Sequence, residues 1–166
     1  MKRKEVVDYA CSLYSHDEIV KKYNKIEPLP VGYKLQPNDA WCAATVSVIF
    51  NHFKYDDLAE CSCVRMKAKA KNLGIWKDKP FMPDIGDIIM YDWNFDNIPD
   101  HVGVIVETRY TWFPFVVVLE GNYNNRVGRR LISLESESIH GFITPPYMED
   151  EKDTFQDIKN FFDTLE

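Results

Sequence analysis

A thiol, an imidazole, a carboxylate and an amide in this chain could share one chemistry: Cys42, His101, Glu120 and Asn122. Cys42 is the third residue of the apolar, alanine-rich run 40–50, AWCAATVSVIF. The run is too long for an ordinary strand and apolar almost all round, the pattern of a helix buried inside a domain. Asn38 or Asp39 is its natural N-cap, which puts Cys42 in the first turn. There the unpaired N–H groups and the positive end of the helix dipole favour a thiolate, the form that attacks carbonyl carbon. A cysteine deeper in the same helix would be a small, inert hydrophobe.

A thiolate nucleophile needs a base and a group to orient that base. His101 opens the alternating run His101-Val102-Gly103-Val104-Ile105-Val106-Glu107. Val102, Val104 and Val106 share one face, while His101, Gly103 and Ile105 share the other, so the imidazole has open space beside Gly103. If the next strand is 114–120 and the loop is 108–113, Glu107 faces Pro114 and His101 faces Glu120. A slip of two residues puts Asn122 opposite His101 instead. Glu120 and Asn122 lie two apart on one face, so either register sets a carboxylate or an amide beside the imidazole.

Elements must hold these residues together. Val6, Val7, Ala10, Leu13 and Tyr14 recur at helical spacing over 4–14, and a short second helix opens at Asp17. Pro28, Pro30 and Gly32 break the chain into a loop reaching about Asp39. A further helix covers Val64 to Leu73 and ends at Gly74. Strands are expected at 86–93, 101–107 and 115–120, with weaker ones at 129–134 and 140–143. Helices first and antiparallel strands second make an α+β domain.

With those elements in place, the motifs resemble a CHAP domain, the cysteine, histidine-dependent amidohydrolases and peptidases of phage lysins and bacterial wall hydrolases. The resemblance rests on Trp41-Cys42-Ala43-Ala44, Pro83-x-x-Gly86-Asp87-Ile88-Ile89, Asp100-His101-Val102-Gly103-Val104 and Glu120-Gly121-Asn122, and spans about residues 5–147. It implies a papain-like fold, Cys42 as nucleophile, His101 as base, and Glu120 and Asn122 as orienting groups. It also implies a peptidoglycan amide as substrate, cut by a muramoyl-alanine amidase or by an endopeptidase of the stem or cross-bridge. Gln36, six residues before Cys42, resembles the helper glutamine of papain-type enzymes and is the oxyanion candidate beside the Cys42 N–H. The calcium loop that some members carry has no counterpart here as a D-x-D-type run near the N-terminus, so calcium is not carried over. Two rivals stand beside this expectation: a cysteine peptidase or amidase effector acting on a non-wall substrate, and a wall-binding module that no longer turns over.

Composition narrows the partners. The net charge is −6, and residues 149–166 hold seven acids against Lys152 and Lys159, so the remainder carries about −1. A near-neutral body without a basic stripe argues against nucleic acid. No stretch approaches the ~20 apolar residues of a membrane span. The opening MKRKEVVDYACSLYSHDE lacks an apolar signal-peptide core. The expectation is a chain made in the cytoplasm that acts at the cell wall if released by some other route. Cys11, Cys42, Cys61 and Cys63 are then reduced, with no disulfide framework. Cys61-Ser62-Cys63 with His52 lacks the C-x₂₋₄-C spacing of a zinc site, and neither a metal nor a cofactor is expected. His16 and His140 read as structural, and Trp41, Trp76 and Trp93 as core rather than a sugar-binding groove.

Residues 1–147 form the expected catalytic domain, and 148–166 an acidic linker with a short amphipathic helix. Phe155, Ile158, Phe161, Phe162 and Leu165 make one apolar stripe at helical spacing, suited to packing on the domain or on a second copy. Deleting 150–166 should therefore alter thermal stability or oligomeric state, as read by calorimetry and light scattering. A variant unchanged in both would overturn the assignment.

Overall fold

The computed structural model describes residues 1–148, so the expected C-terminal helix lies outside the described residues. Four helices come first: α1 (Arg3–Ser12), α2 (His16–Tyr23), α3 (Cys42–His52) and α4 (Cys63–Asn72). Six strands follow: β1 (Trp76–Lys77), β2 (Ile88–Tyr91), β3 (His101–Arg109), β4 (Phe115–Tyr123), β5 (Arg126–Ser133) and β6 (Ile139–Ile143). They form one antiparallel sheet in the order β1-β6-β2-β3-β4-β5. The chain is an α+β domain. Among the described residues no helix is long and apolar enough to cross a membrane.

Local chemistry explains most boundaries. Ser15 caps α2 by accepting from the Glu18 N–H, with Asp17 and Glu18 in the first turn and Lys21 and Lys22 in the last, matching the helix dipole. Ser62 caps α4 by accepting from the Arg65 N–H. Helix α3 differs. Every residue from Cys42 to Phe50 is buried, as its all-round apolar sequence requires. Neither Asn38 nor Asp39 caps it: Trp41 is the N-cap and offers no side-chain bond. Asp39 instead accepts from the Gln36 N–H at 2.7 Å and the Tyr33 hydroxyl at 2.8 Å, closing the preceding loop on itself. Cys42 is thereby the first helical residue, with the leading N–H groups of α3 left uncapped by any side chain.

The helices cover one sheet face. Val102 and Val104 of β3 join Ile88, Met90, Leu119 and Ile143 in the core shared with α1 to α4. Ile105 points the other way and packs with Ile89, Tyr91, Val116, Val118, Ile132 and Phe142. This is the alternation read from the sequence. The β3–β4 register is not the first one expected. Val104 faces Leu119 and Ile105 faces Val118, a slip of two, and a bulge lies between Ile105 and Glu107. The loop is 110–114, with Arg109 facing Phe115. The bulge adds a residue to β3 that a straight ladder count cannot supply.

Two motif glycines and one aspartate prove to be joints. The buried Asp87 carboxylate accepts from Arg3 at 2.8 Å and from the Asp84 N–H at 2.9 Å, tying α1 to the entry of β2. Its backbone carbonyl accepts from the Ile105 N–H. Gly86 has φ +84°, and its carbonyl accepts from the Tyr147 hydroxyl at 2.6 Å. Gly121 brings β4 against the first turn of α3: a Cβ there would lie 1.8 Å from Thr45 Oγ1 and 2.9 Å from the Trp41 ring. Strand β1 was not foreseen, because two residues paired to Ile143 and Phe142 carry no alternation to read.

Gly121→Ala should cost about 3 kcal/mol, the upper range for overpacking a filled core, in urea unfolding. Adding Thr45→Ala should recover only part of this, because Thr45 Cβ itself stands 2.7 Å from the new methyl position. Wild-type stability in Gly121→Ala would show that the strand and helix are not in contact there.

Candidate active site

The backbone sets His101 in place first. It opens β3 opposite Tyr91, and the Asp100 N–H donates to the Tyr91 carbonyl at 2.7 Å. The loop before it is held by its own carboxylates: Asp92 accepts from the Asp96 and Asn97 N–H groups, and Asp100 from the Trp93 N–H. His101 then stacks on Tyr91 at 5.9 Å between centroids.

Glu120 reaches His101 across Gly103. A Cβ on Gly103 would stand 2.8 Å from the Glu120 side chain, so the missing methyl is the space the carboxylate stem occupies. Glu120 is 0% exposed. One of its oxygens bonds His101 Nε2 at 3.1 Å, and the other accepts from Arg130 Nε at 2.8 Å. Arg130 is itself enclosed by Trp93, Tyr123 and Tyr91, whose ring centroids lie 4.7, 4.8 and 5.7 Å from its guanidinium carbon. Sequence reasoning missed Arg130. It lies on β5, Val118 faces it across β4, and its aromatic neighbours come from β2, β4 and the β2–β3 loop.

With Nε2 committed to Glu120, the imidazole's other nitrogen is left for Cys42. The Cys42 thiol is held well below the ordinary range: the Cys63 thiol bonds it, burial opposes, and His101 and the Ala43 N–H add to the stabilisation. Burial works against charge on His101, but Cys42 and Glu120 outweigh it and raise its pKa to about 9. Burial likewise opposes the Glu120 carboxylate, and its bonds from His101 and Arg130 bring it below its ordinary value. The resulting array is thiolate, imidazolium, carboxylate and guanidinium in alternating sign.

The remaining predicted residues distribute as follows. Asn122 makes no hydrogen bond to His101 or Glu120 among the described residues. It sits at φ +57°, where the β4–β5 register breaks, which takes it out of the strand alternation. It lines a cleft of 380 Å³ with Pro37, Asn38, Asp39, Asn125 and Ala40, which stands two residues before Cys42. Gln36 is exposed and donates its amide to the Lys34 carbonyl at 3.0 Å, so it is not aimed at Cys42. The two cysteines of the C-x-C part company. Cys63 lies 3.7 Å from Cys42, sulfur to sulfur, while Cys61 accepts from Arg65. His52 stacks flat on Tyr9. His16 packs edge-on against the buried Trp41, and His140 bonds Lys67. Trp93, 40% exposed, lies over Arg130 rather than in the core.

No protein-family model matches the chain, and no curated protein matches it.

Two outcomes check the site. Limited iodoacetamide should label Cys42 first of the four thiols. Its rate should already be level at neutral pH, where a free cysteine with pKa about 8.5 is mostly protonated. Earlier labelling of Cys61, or a rate climbing through that range, would overturn the ion pair. Arg130→Met should cost about 2 kcal/mol in urea unfolding, less than the ~3–5 kcal/mol for breaking a fully buried pair because Arg130 is partly exposed.

Proposed function

We propose that the chain is a papain-like cysteine hydrolase of CHAP type that cleaves an amide bond of peptidoglycan. The observation that carries the reading is the line from Cys42 through His101 to the buried Glu120, with the thiol at the first residue of a buried helix and the imidazole at the first residue of a strand. The CHAP-like motifs supply the substrate class, and the intact line of three weighs against a wall-binding module that no longer turns over.

The chemistry follows from the protonation states. The Cys42 thiolate adds to the amide carbonyl, and the uncapped N–H groups at the start of α3, the Cys42 N–H first, offer hydrogen bonds to the oxyanion. The His101 imidazolium gives its proton to the departing nitrogen as the C–N bond breaks, leaving a thioester on Cys42. His101, now neutral, takes a proton from water, whose oxygen attacks the thioester and frees Cys42. Glu120 keeps the ring oriented and its charged form stable through both steps, and Arg130 keeps Glu120 ionised. A Cys–His pair suits amides; glycosidic cleavage normally calls for two carboxylates.

The pH behaviour has a definite sign. His101 is raised from 6.5 to about 9, so its charged form stabilises the fold fully below pH about 6.5, and that contribution is lost as pH rises through about 9. Turnover needs the same proton and should fall over the same upper limb.

Purified cell wall digested by this protein should gain free amino groups and no new reducing ends. Mass analysis of the fragments then separates amidase from endopeptidase. His101→Ala should nearly abolish the gain, and Glu120→Gln should lower it at least tenfold with the fold retained. Rising reducing ends with flat amines, or untouched wall beside a cleaved protein substrate, would overturn the wall-amide reading.

A further inference from the structure

Cys63 has no part in the hydrolysis derived above, yet its sulfur is in direct contact with that of Cys42. The two sulfurs are 3.7 Å apart, at 5% and 8% residue exposure. Both cysteines are the first residues of their helices, Cys42 of α3 and Cys63 of α4. Two helix N-termini therefore meet at one pair of sulfurs, each adding its positive end. The pair is split in character: the Cys42 thiol is pulled well below its ordinary range, and Cys63, bonded to it and buried, is pushed far up and keeps its proton. A thiolate beside a protonated thiol is the starting arrangement for a two-step oxidation. Closing 3.7 Å to the ~2.05 Å of a disulfide asks for side-chain rotation and a small shift at two helix ends. Cys61 is turned away toward Arg65 and does not compete.

We propose that Cys42 and Cys63 form a redox couple in which Cys63 is the resolving thiol, and that peroxide converts the pair to a disulfide that masks the nucleophile reversibly. The Cys42 thiolate attacks one peroxide oxygen; the S–O bond forms, the O–O bond breaks, and hydroxide leaves, giving a sulfenic acid. The Cys63 sulfur then attacks the Cys42 sulfur. The S–S bond forms, the S–O bond breaks, and the departing hydroxide takes the Cys63 proton. The pair loses two electrons to one hydrogen peroxide, which ends as one water and one hydroxide, and the hydroxide takes a proton from solvent to become the second water. Burial favours a small neutral oxidant over a bulky disulfide. The masking of activity rests on the hydrolase reading; the disulfide itself does not.

The test treats the reduced full chain with a few equivalents of hydrogen peroxide, alkylates under denaturing conditions, and maps peptides with and without a phosphine reductant. Trypsin leaves Cys61 and Cys63 on one peptide, residues 55–65, so Cys61→Ser is run in parallel. The expected product has lost two hydrogens, joins the Cys42 peptide to the 55–65 peptide in wild type and in Cys61→Ser alike, and reverts on reduction. In Cys63→Ser the link is absent and Cys42 proceeds to sulfinic acid. A link lost in Cys61→Ser, or sulfinic Cys42 in wild type with Cys63 still alkylated, overturns the proposal. Wall digestion by the oxidised form should fall at least tenfold and return with reductant. If the disulfide forms but the reduced protein digests no wall, the hydrolase reading fails and the redox couple stands.

Discussion

The buried carboxylate of Glu120 is the constraint on which the site depends. A carboxylate without solvent contact is costly unless both oxygens are engaged. Here one meets His101 and the other Arg130. That requirement reaches outward through the fold. It bears on Gly103, where a Cβ would crowd the Glu120 stem at 2.8 Å as well as Val118 and the Leu119 carbonyl. It also requires an arginine on the next strand, and three aromatic rings that hold the arginine without taking its charge. The sheet order β3-β4-β5 puts His101, Glu120 and Arg130 on three neighbouring strands.

The second organising feature is the start of α3. Its N–H groups have no side-chain cap because Asp39 is spent on the loop before it. An uncapped, buried helix start is ordinarily a liability. At Cys42 it becomes a field that favours a negative sulfur, reinforced by Ala43, His101 and Cys63. Gly121 closes the arrangement by letting β4 lie directly on this turn, so Cys42 and Glu120 belong to one packed unit rather than to two loops.

How far the sequence could be read follows from the range of each signal. Helix α3 and the alternation of β3 were legible because burial leaves a continuous pattern in the chain, and the facing of Val102 and Val104 followed from it. The pairing of His101 with Glu120 was anticipated, but through the wrong register. The turn falls later than expected, so Glu107 faces Val117 rather than Pro114; the β3 bulge takes back one residue of that shift, and the contact forms diagonally over Gly103. Arg130 was invisible because its partners are separated by up to 39 positions in the chain, from Tyr91 to Arg130, and converge only once the sheet is assembled. Gln36 and Asn122 were assigned by their distance along the chain from Cys42 and Glu120. A local hydrogen bond turns Gln36 back on Lys34, and a left-handed backbone turns Asn122 into the cleft.

The alternating row from Cys42 to Arg130 has a consequence beyond the packing of the site. Two negative and two positive groups in sequence cancel, so the row itself carries no net charge, on a body that carries about −1 outside 149–166. A row without net charge adds little of its own to the long-range steering of a charged molecule. What the row contributes is short-ranged, felt beside the cleft that Ala40 and Asn122 line rather than far from the surface.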